Sequence, residues 1–267
     1  MRFLWIFNIY SSSDLMLDLL PRPVVIAHRG ASAHAPENTM SAFQLALDQD
    51  ADAIEFDVQL SSDKSVIVIH DSTLDRTTNG SGLVKDHSLD VLKTLNVRHA
   101  YGPAFPDEKI PTLSEVFDKF GTSTFYNIEL KNSMTPFDDL PAMIAPIIEN
   151  SELLDHVLIS SFNPIALHKI EKLLPGAKKG LLLHSSLSIN LFRHVSIYRF
   201  AHQTIHLSFS SLNSRRVKSF QSKGKLVFSY TLNHPRDINT ALNLKIDGFF
   251  TDDPALARQT LDEFSLL

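Results

Sequence analysis

Three short clusters put charge where a buried strand is otherwise apolar. His28-Arg29-Gly30 follows the run Val24–Ala27 directly, Glu55-Phe56-Asp57 lies inside Ala53–Gln59, and Glu129-Leu130-Lys131 closes Thr124–Leu130. Residues two apart in a strand share a face, so Glu55 and Asp57 point the same way. Like charges on an inward face repel and are costly to desolvate unless a cation lies between them. With Glu129 they form an all-oxygen set of the kind that hard dications such as Mg²⁺ or Ca²⁺ prefer, whereas zinc recruits imidazole or thiolate. Arg29 and Lys131 add fixed positive charge, and a dication, a guanidinium and an ammonium around one pocket describe a site for phosphate. His28 and His70 titrate near neutral pH. They are suited to take a proton from an attacking hydroxyl and to give one to a leaving alkoxide. The other ten histidines, from His34 to His234, are read as structural, with His34 also weighed as a substrate contact.

These clusters need a scaffold that brings separate stretches together. Short β-branched or aromatic runs alternate with helical patterns along the chain: Val24–Ala27, Ala53–Gln59, Val66–His70, Thr124–Leu130, Val157–Ser160, Gly180–Leu183, Thr204–Phe209, Leu226–Thr231 and Gly248–Thr251. Apolar residues three and four apart mark helices at Ser41–Leu47, Leu113–Phe120, Leu140–Ile148 and Pro164–Leu174. This alternation predicts a parallel sheet clothed in helices, an α/β fold. Nine runs are one too many for an eightfold barrel. Only Ser61-Ser62-Asp63-Lys64 separates the second from the third, too few residues for a parallel crossover but enough for an antiparallel hairpin. Val66–His70 is therefore expected to fold back on Ala53–Gln59. Pairing Leu60 with Ser65 sets His70 opposite Glu55.

The stretch from Ser72 to Lys109 shows no barrel period and carries the turn signals Asn79-Gly80-Ser81-Gly82 and Tyr101-Gly102-Pro103. It reads as an insertion of about residues 72–109, forming a lobe over one end of the barrel. Residues 1–22 read as an N-terminal extension and 23–267 as the barrel domain. Pro36-Glu37-Asn38-Thr39 reads as a helix start capped by Asn38 or Thr39, with Glu37 supporting the site.

Composition excludes other chemistry. The chain of 267 residues has no cysteine, which rules out disulfides, thiolate metal sites and a cysteine nucleophile. Lys plus Arg number 25 against 30 Asp plus Glu, a net charge of −5, so the chain lacks the basic excess of a general nucleic-acid binder. The apolar stretch Phe3–Tyr10 sits at the short edge of a signal peptide's apolar region and no Ala-x-Ala site follows it. No later stretch approaches the ~20 apolar residues of a membrane span, and no stable membrane insertion is expected.

In order, His28-Arg29-Gly30, Pro36-Glu37-Asn38-Thr39, Glu55-Phe56-Asp57, His70-Asp71 and Glu129-Leu130-Lys131 resemble the signature of the glycerophosphodiester phosphodiesterases. Ser161-Phe162 and Thr251-Asp252-Asp253-Pro254 also fit, and the resemblance runs from about Pro23 to Leu256. It implies a (β/α)8 barrel of the triosephosphate-isomerase kind. It also implies metal-dependent hydrolysis of small glycerophosphodiesters to glycerol 3-phosphate and an alcohol. By the family's motif Glu55, Asp57 and Glu129 match the metal ligands (Mg²⁺ or Ca²⁺), His28 and His70 the acid–base pair, and Arg29 and Lys131 the phosphate contacts. Phe162 and Tyr230 are further candidate substrate contacts. Tyr230 stands in Phe228-Ser229-Tyr230-Thr231, where the family usually carries tryptophan. Similarity to the compact bacterial members implies a cytoplasmic protein; the oligomeric state is left open. The alternative is a phospholipase D-type enzyme on the same barrel acting on lysophospholipids, which needs an apolar landing surface.

Overall fold

β-Branched and aromatic runs pair here as a closed sheet, as their spacing requires. The computed structural model describes residues 17, 20–97, 107–184 and 202–266. The stretch Phe3–Tyr10 and the turn Tyr101-Gly102-Pro103 lie outside the described residues. Parallel strands β1 (Val24–His28), β2 (Ala53–Leu60), β4 (Phe125–Leu130), β5 (Val157–Ser161), β6 (Lys178–Leu183), β7 (Thr204–Ser208), β8 (Leu226–Tyr230) and β9 (Gly248–Thr251) run in sequence around a barrel, which β1 closes by pairing with both β2 and β9. The short β3 (Val66–Val68) pairs antiparallel with β2 outside that circle.

Between the strands run α1 (Met40–Asp48), α2 (Leu89–Thr94), α3 (Leu113–Phe120), α4 (Leu140–Asn150), α5 (Pro164–Leu173), α6 (Ser214–Gln221), α7 (Pro235–Asn243) and α8 (Pro254–Ser265). Their apolar faces meet the outer faces of the strands: Phe43 of α1 and Phe117 and Phe120 of α3 join Phe56 and Tyr126 in one buried aromatic cluster. Helix starts are fixed by side chains. Thr39 caps α1, Asn163 α5 and Asp253 α8, and Thr112 with Glu115 forms a reciprocal capping box on α3.

The hairpin forms, with a register one residue from the expected one. Leu60 faces Val66 and Val58 faces Val68, so His70 does not lie opposite Glu55. The cause is the turn. Ser61 N–H donates to Ser65 O (3.0 Å) and Lys64 takes a left-handed φ of 62°, leaving a three-residue loop where four residues were counted. β3 and the residue after it alternate two burials: Val66 and Val68 join the main core, while Ile67 and Ile69 join Leu74, Val84 and Leu92 of the following segment in a separate apolar cluster.

Parallel register sets the inward rows. His28 is the Cα partner of Glu55, and Asp57 is that of Glu129. Immediately after β1 the chain turns through Arg29 (φ 59°) and Gly30 (φ 80°). A Cβ on Gly30 would lie 2.6 Å from the Ala42 carbonyl carbon in α1. Gly30→Ala therefore meets a backbone clash and an unfavourable φ together, and it is expected to destabilise the protein by about 2 kcal/mol or more. Denaturant unfolding measures this; a loss of less than ~0.5 kcal/mol would contradict the packing described.

Candidate active site

The carboxyl ends of the barrel strands carry the charged rows, the end at which such barrels place their functional groups. Glu55, Asp57 and Glu129 are buried, 2%, 1% and 8% exposed. One oxygen from each lies within 4.8 Å of the others, forming an acidic cluster that could hold a metal ion. The remaining contacts come from the strand ends themselves. Arg29 donates its backbone N–H to Glu55 Oε2 (2.8 Å) and sets its Nε 3.3 Å from Asp57 Oδ2. Lys131 donates to Glu129 Oε1 (2.8 Å) and its Nζ is 3.6 Å from Asp57 Oδ1. Asn38 grips Asp57 twice, donating from Nδ2 to Oδ2 (3.0 Å) and accepting the Asp57 N–H at Oδ1 (3.3 Å).

Burial and crowding separate the three acids. Desolvation, with the neighbouring Asp57 charge, pushes Glu55 up to about 8. The same two causes raise Glu129. For Asp57, desolvation is outweighed by Lys131, Arg29 and His70, which hold it below the usual carboxylate range. The cluster thus carries more acid than its two flanking cations neutralise, and its all-oxygen donors fit a hard dication.

Both histidines face the same cavity, of about 190 Å³, whose walls also include Arg29, Lys131, Phe162 and Tyr230. His28 Nδ1 sits 2.6 Å from Asp252 Oδ1, and Asp252 Oδ2 accepts from Asn233 Nδ2 (2.5 Å). Hydrogen bonding to the carboxylate places the proton on Nδ1 and leaves Nε2 for the cavity. His70 repeats the arrangement, its Nδ1 2.6 Å from Asp71 Oδ1. Asp71 is held down at about 2, first by its hydrogen bond from Arg76. Gln59 fixes this loop by donating its amide to the carbonyls of Ile69, His70 and Asp71. Desolvation lowers His70, whereas for His28 the Asp252 hydrogen bond and the Glu55 charge outweigh it and raise the pKa above 6.5.

The nine residues given metal, proton-transfer, phosphate or other substrate-wall roles, His34 apart, reach this cavity or the acid cluster on its wall. Phe162 meets Tyr230 edge-on, with centroids 6.1 Å apart, and Tyr230 donates to Leu183 O (3.3 Å). His206, read as structural, is fully buried against Phe228 and Phe250, held neutral by desolvation at about 3, and lines the cavity. His34 pairs with Asp253 (3.0 Å) and is not among the cavity residues. Thr39 is the helix cap, which frees Asn38 for Asp57. The partners missed in the sequence are Arg76, Asn233 and Gln59, while Asp252 appears there in Thr251-Asp252-Asp253-Pro254 without a role. Asp252 was within reach of the strand-end rule, directly following β9. The others hold the site from loops or from a hairpin position with no periodic signal.

A family model described as the glycerophosphoryl diester phosphodiesterase family matches residues 28–256. A glycerophosphodiester phosphodiesterase of Caldanaerobacter subterraneus subsp. tengcongensis is 37% identical over 234 residues, covering 87% of this chain and 95% of that protein. One from Bacillus subtilis (strain 168) is 34% identical over 252 residues, covering 88% and 85%. Among solved structures, an Oleispira antarctica phosphodiesterase in complex with the product sn-glycerol-3-phosphate superposes with a TM-score of 0.79 at 29% identity, covering 92% of this chain and 98% of that one.

The raised pKa of His28 gives a signed expectation. Its protonated form stabilises the fold fully below about pH 6.5, and that contribution is lost as pH rises through the raised value. Asp252→Asn removes the largest raising influence. NMR titration of the metal-free protein is expected to show His28 titrating lower in the variant; an unchanged or higher value would refute the assigned pairing.

Proposed function

The chain belongs to the glycerophosphoryl diester phosphodiesterase family, and on that premise we propose that it hydrolyses small glycerophosphodiesters to glycerol 3-phosphate and an alcohol at a divalent metal site. The observation that carries the reading is the buried cluster of Glu55, Asp57 and Glu129 opening on the cavity shared by His28 and His70. The Oleispira neighbour's bound product supports the substrate class.

Glu55, Asp57 and Glu129 would hold the ion, Mg²⁺ or Ca²⁺. When bound it supplies positive charge beside the phosphate and lowers the cost of charge building on its oxygens. Arg29 and Lys131 hold the phosphate anion from the same wall, with guanidinium and ammonium N–H groups that already point among the carboxylates. Each histidine is fixed at Nδ1 by an aspartate, so Nε2 is the proton-handling atom in both. One imidazole takes the proton of the attacking hydroxyl and the other returns a proton to the leaving alkoxide. Phe162 and Tyr230 form an apolar wall against the carbon skeleton of the substrate.

Among the described residues no helix is long and apolar enough to cross a membrane.

His28→Ala is expected to lower kcat for glycerophosphocholine by ~100-fold or more while the chain stays folded. Glycerol 3-phosphate release, coupled to its oxidation, reads this; near-normal turnover would remove His28 from the mechanism. Chelation is expected to abolish turnover, and Mg²⁺, Ca²⁺ or Mn²⁺ added back singly to restore it. Full activity after exhaustive chelation would exclude the metal reading. Faster turnover of lysophosphatidylcholine than of glycerophosphocholine would transfer the assignment to the phospholipase D-type reading.

A further inference from the structure

The segment after β3 sends one side chain back to the barrel. Arg76 uses its whole guanidinium: Nε donates to Asp71 Oδ2 (2.6 Å), Nη1 to Glu37 Oε2 (2.6 Å) and Nη2 to Glu37 Oε1 (2.8 Å). Each of those carboxylates has a second duty. Asp71 Oδ1 meets His70 Nδ1, and Glu37 Oε1 also accepts from Arg29 Nη1 (2.9 Å). Arg29 in turn reaches Asp57. The result is an unbroken row of hydrogen bonds and ion pairs, His70–Asp71–Arg76–Glu37–Arg29–Asp57, that links the imidazole on one loop to the guanidinium on another.

We propose that Arg76 is a positioning residue, which fixes His70 through Asp71 and Arg29 through Glu37 so that the proton-handling and phosphate-holding groups keep one mutual geometry. The inference rests on the roles given above to His70 and Arg29 and adds the residue that couples them. Stability alone gives a weak reason for the arrangement. Arg76 is 47% exposed, and ion pairs of exposed side chains contribute little to folding. Orientation gives a strong one. A carboxylate bound at one oxygen can rotate away from its histidine, and a planar fork that takes the other oxygen prevents this. The fork is also specific to arginine, since an ammonium is a point donor and cannot take one oxygen of Asp71 and both of Glu37 in fixed directions.

The test is a double-mutant cycle on the metal-loaded protein, with glycerophosphocholine turnover and thermal unfolding measured for Arg76→Met, Asp71→Asn, the double variant, Arg76→Lys and His70→Ala. Arg76→Met and Arg76→Lys are each expected to lose ~10-fold or more in kcat with a small change in Tm. The double variant is expected to be no slower than the worse single variant, because both break the same link. Losses that multiply in the double variant would overturn the coupling, as would full turnover in Arg76→Met, or rescue by lysine to the parent rate. A Tm that falls in proportion to activity would make Arg76 structural, and so also overturns the proposal. His70→Ala separates the two readings: if it is inactive and Arg76→Met is fully active, only this inference fails, whereas an active His70→Ala removes the role on which it rests.

Discussion

Burying three carboxylates with oxygens within 4.8 Å of one another is the constraint around which the rest of the molecule is arranged. At an effective dielectric constant of about 20, two unit charges 4.8 Å apart repel by about 3.5 kcal/mol. Three such pairs approach the entire stability of a typical domain, about 5–15 kcal/mol. The fold cannot hold them as bare anions. It answers with Lys131 and Arg29 beside Asp57, with the Arg29 N–H and the Asn38 amide on the acids, and with Glu55 and Glu129 made harder to ionise by desolvation and the Asp57 charge. A dication in their midst would offset that repulsion.

The barrel supplies the precision. Parallel register makes His28 the neighbour of Glu55 and Asp57 the neighbour of Glu129, so four functional groups stand in fixed places as a consequence of strand pairing alone. The other groups arrive on loops, and loops need tethers. Gln59 holds the loop of His70 by three carbonyls, Asn38 ties the loop before α1 to Asp57, and Asn233 ties Asp252 to the loop after β8. Each tether is an amide or a charged fork, groups that bond in defined directions and so fix an orientation as well as a distance.

What the sequence disclosed follows the same division. Strand runs and the charged pairs inside them were legible because a period of two places Glu55 with Asp57 and Glu129 with Lys131 on one face, and an apolar strand makes a charge conspicuous. The hairpin was legible from loop length, but its register was not, because the left-handed Lys64 shortens the turn by a residue and nothing in Ser61-Ser62-Asp63-Lys64 announces it. His70 was legible as an imidazole on the hairpin beside the acids, and Glu37 as a residue next to a helix start. Arg76 and Asn233 carry no periodic or strand-end signal, since their positions depend on how irregular segments fold back. His206 shows the converse: a structural histidine by pattern, it lies in the cavity wall because β7 alternates inward at that position.

The central claim is that the three acids are gathered to bind one dication, and calorimetric titration of the metal-stripped protein tests it most directly. One ion per chain is expected near neutral pH. Binding should release protons, seen as an enthalpy that varies with the buffer's ionisation heat, because desolvation and the Asp57 charge raise the pKa of Glu55 and a carboxyl must be ionised to become a ligand. Removing one acid, as in Glu129→Gln, should weaken the site severely. Absence of binding, or equal binding in that variant, would contradict the account.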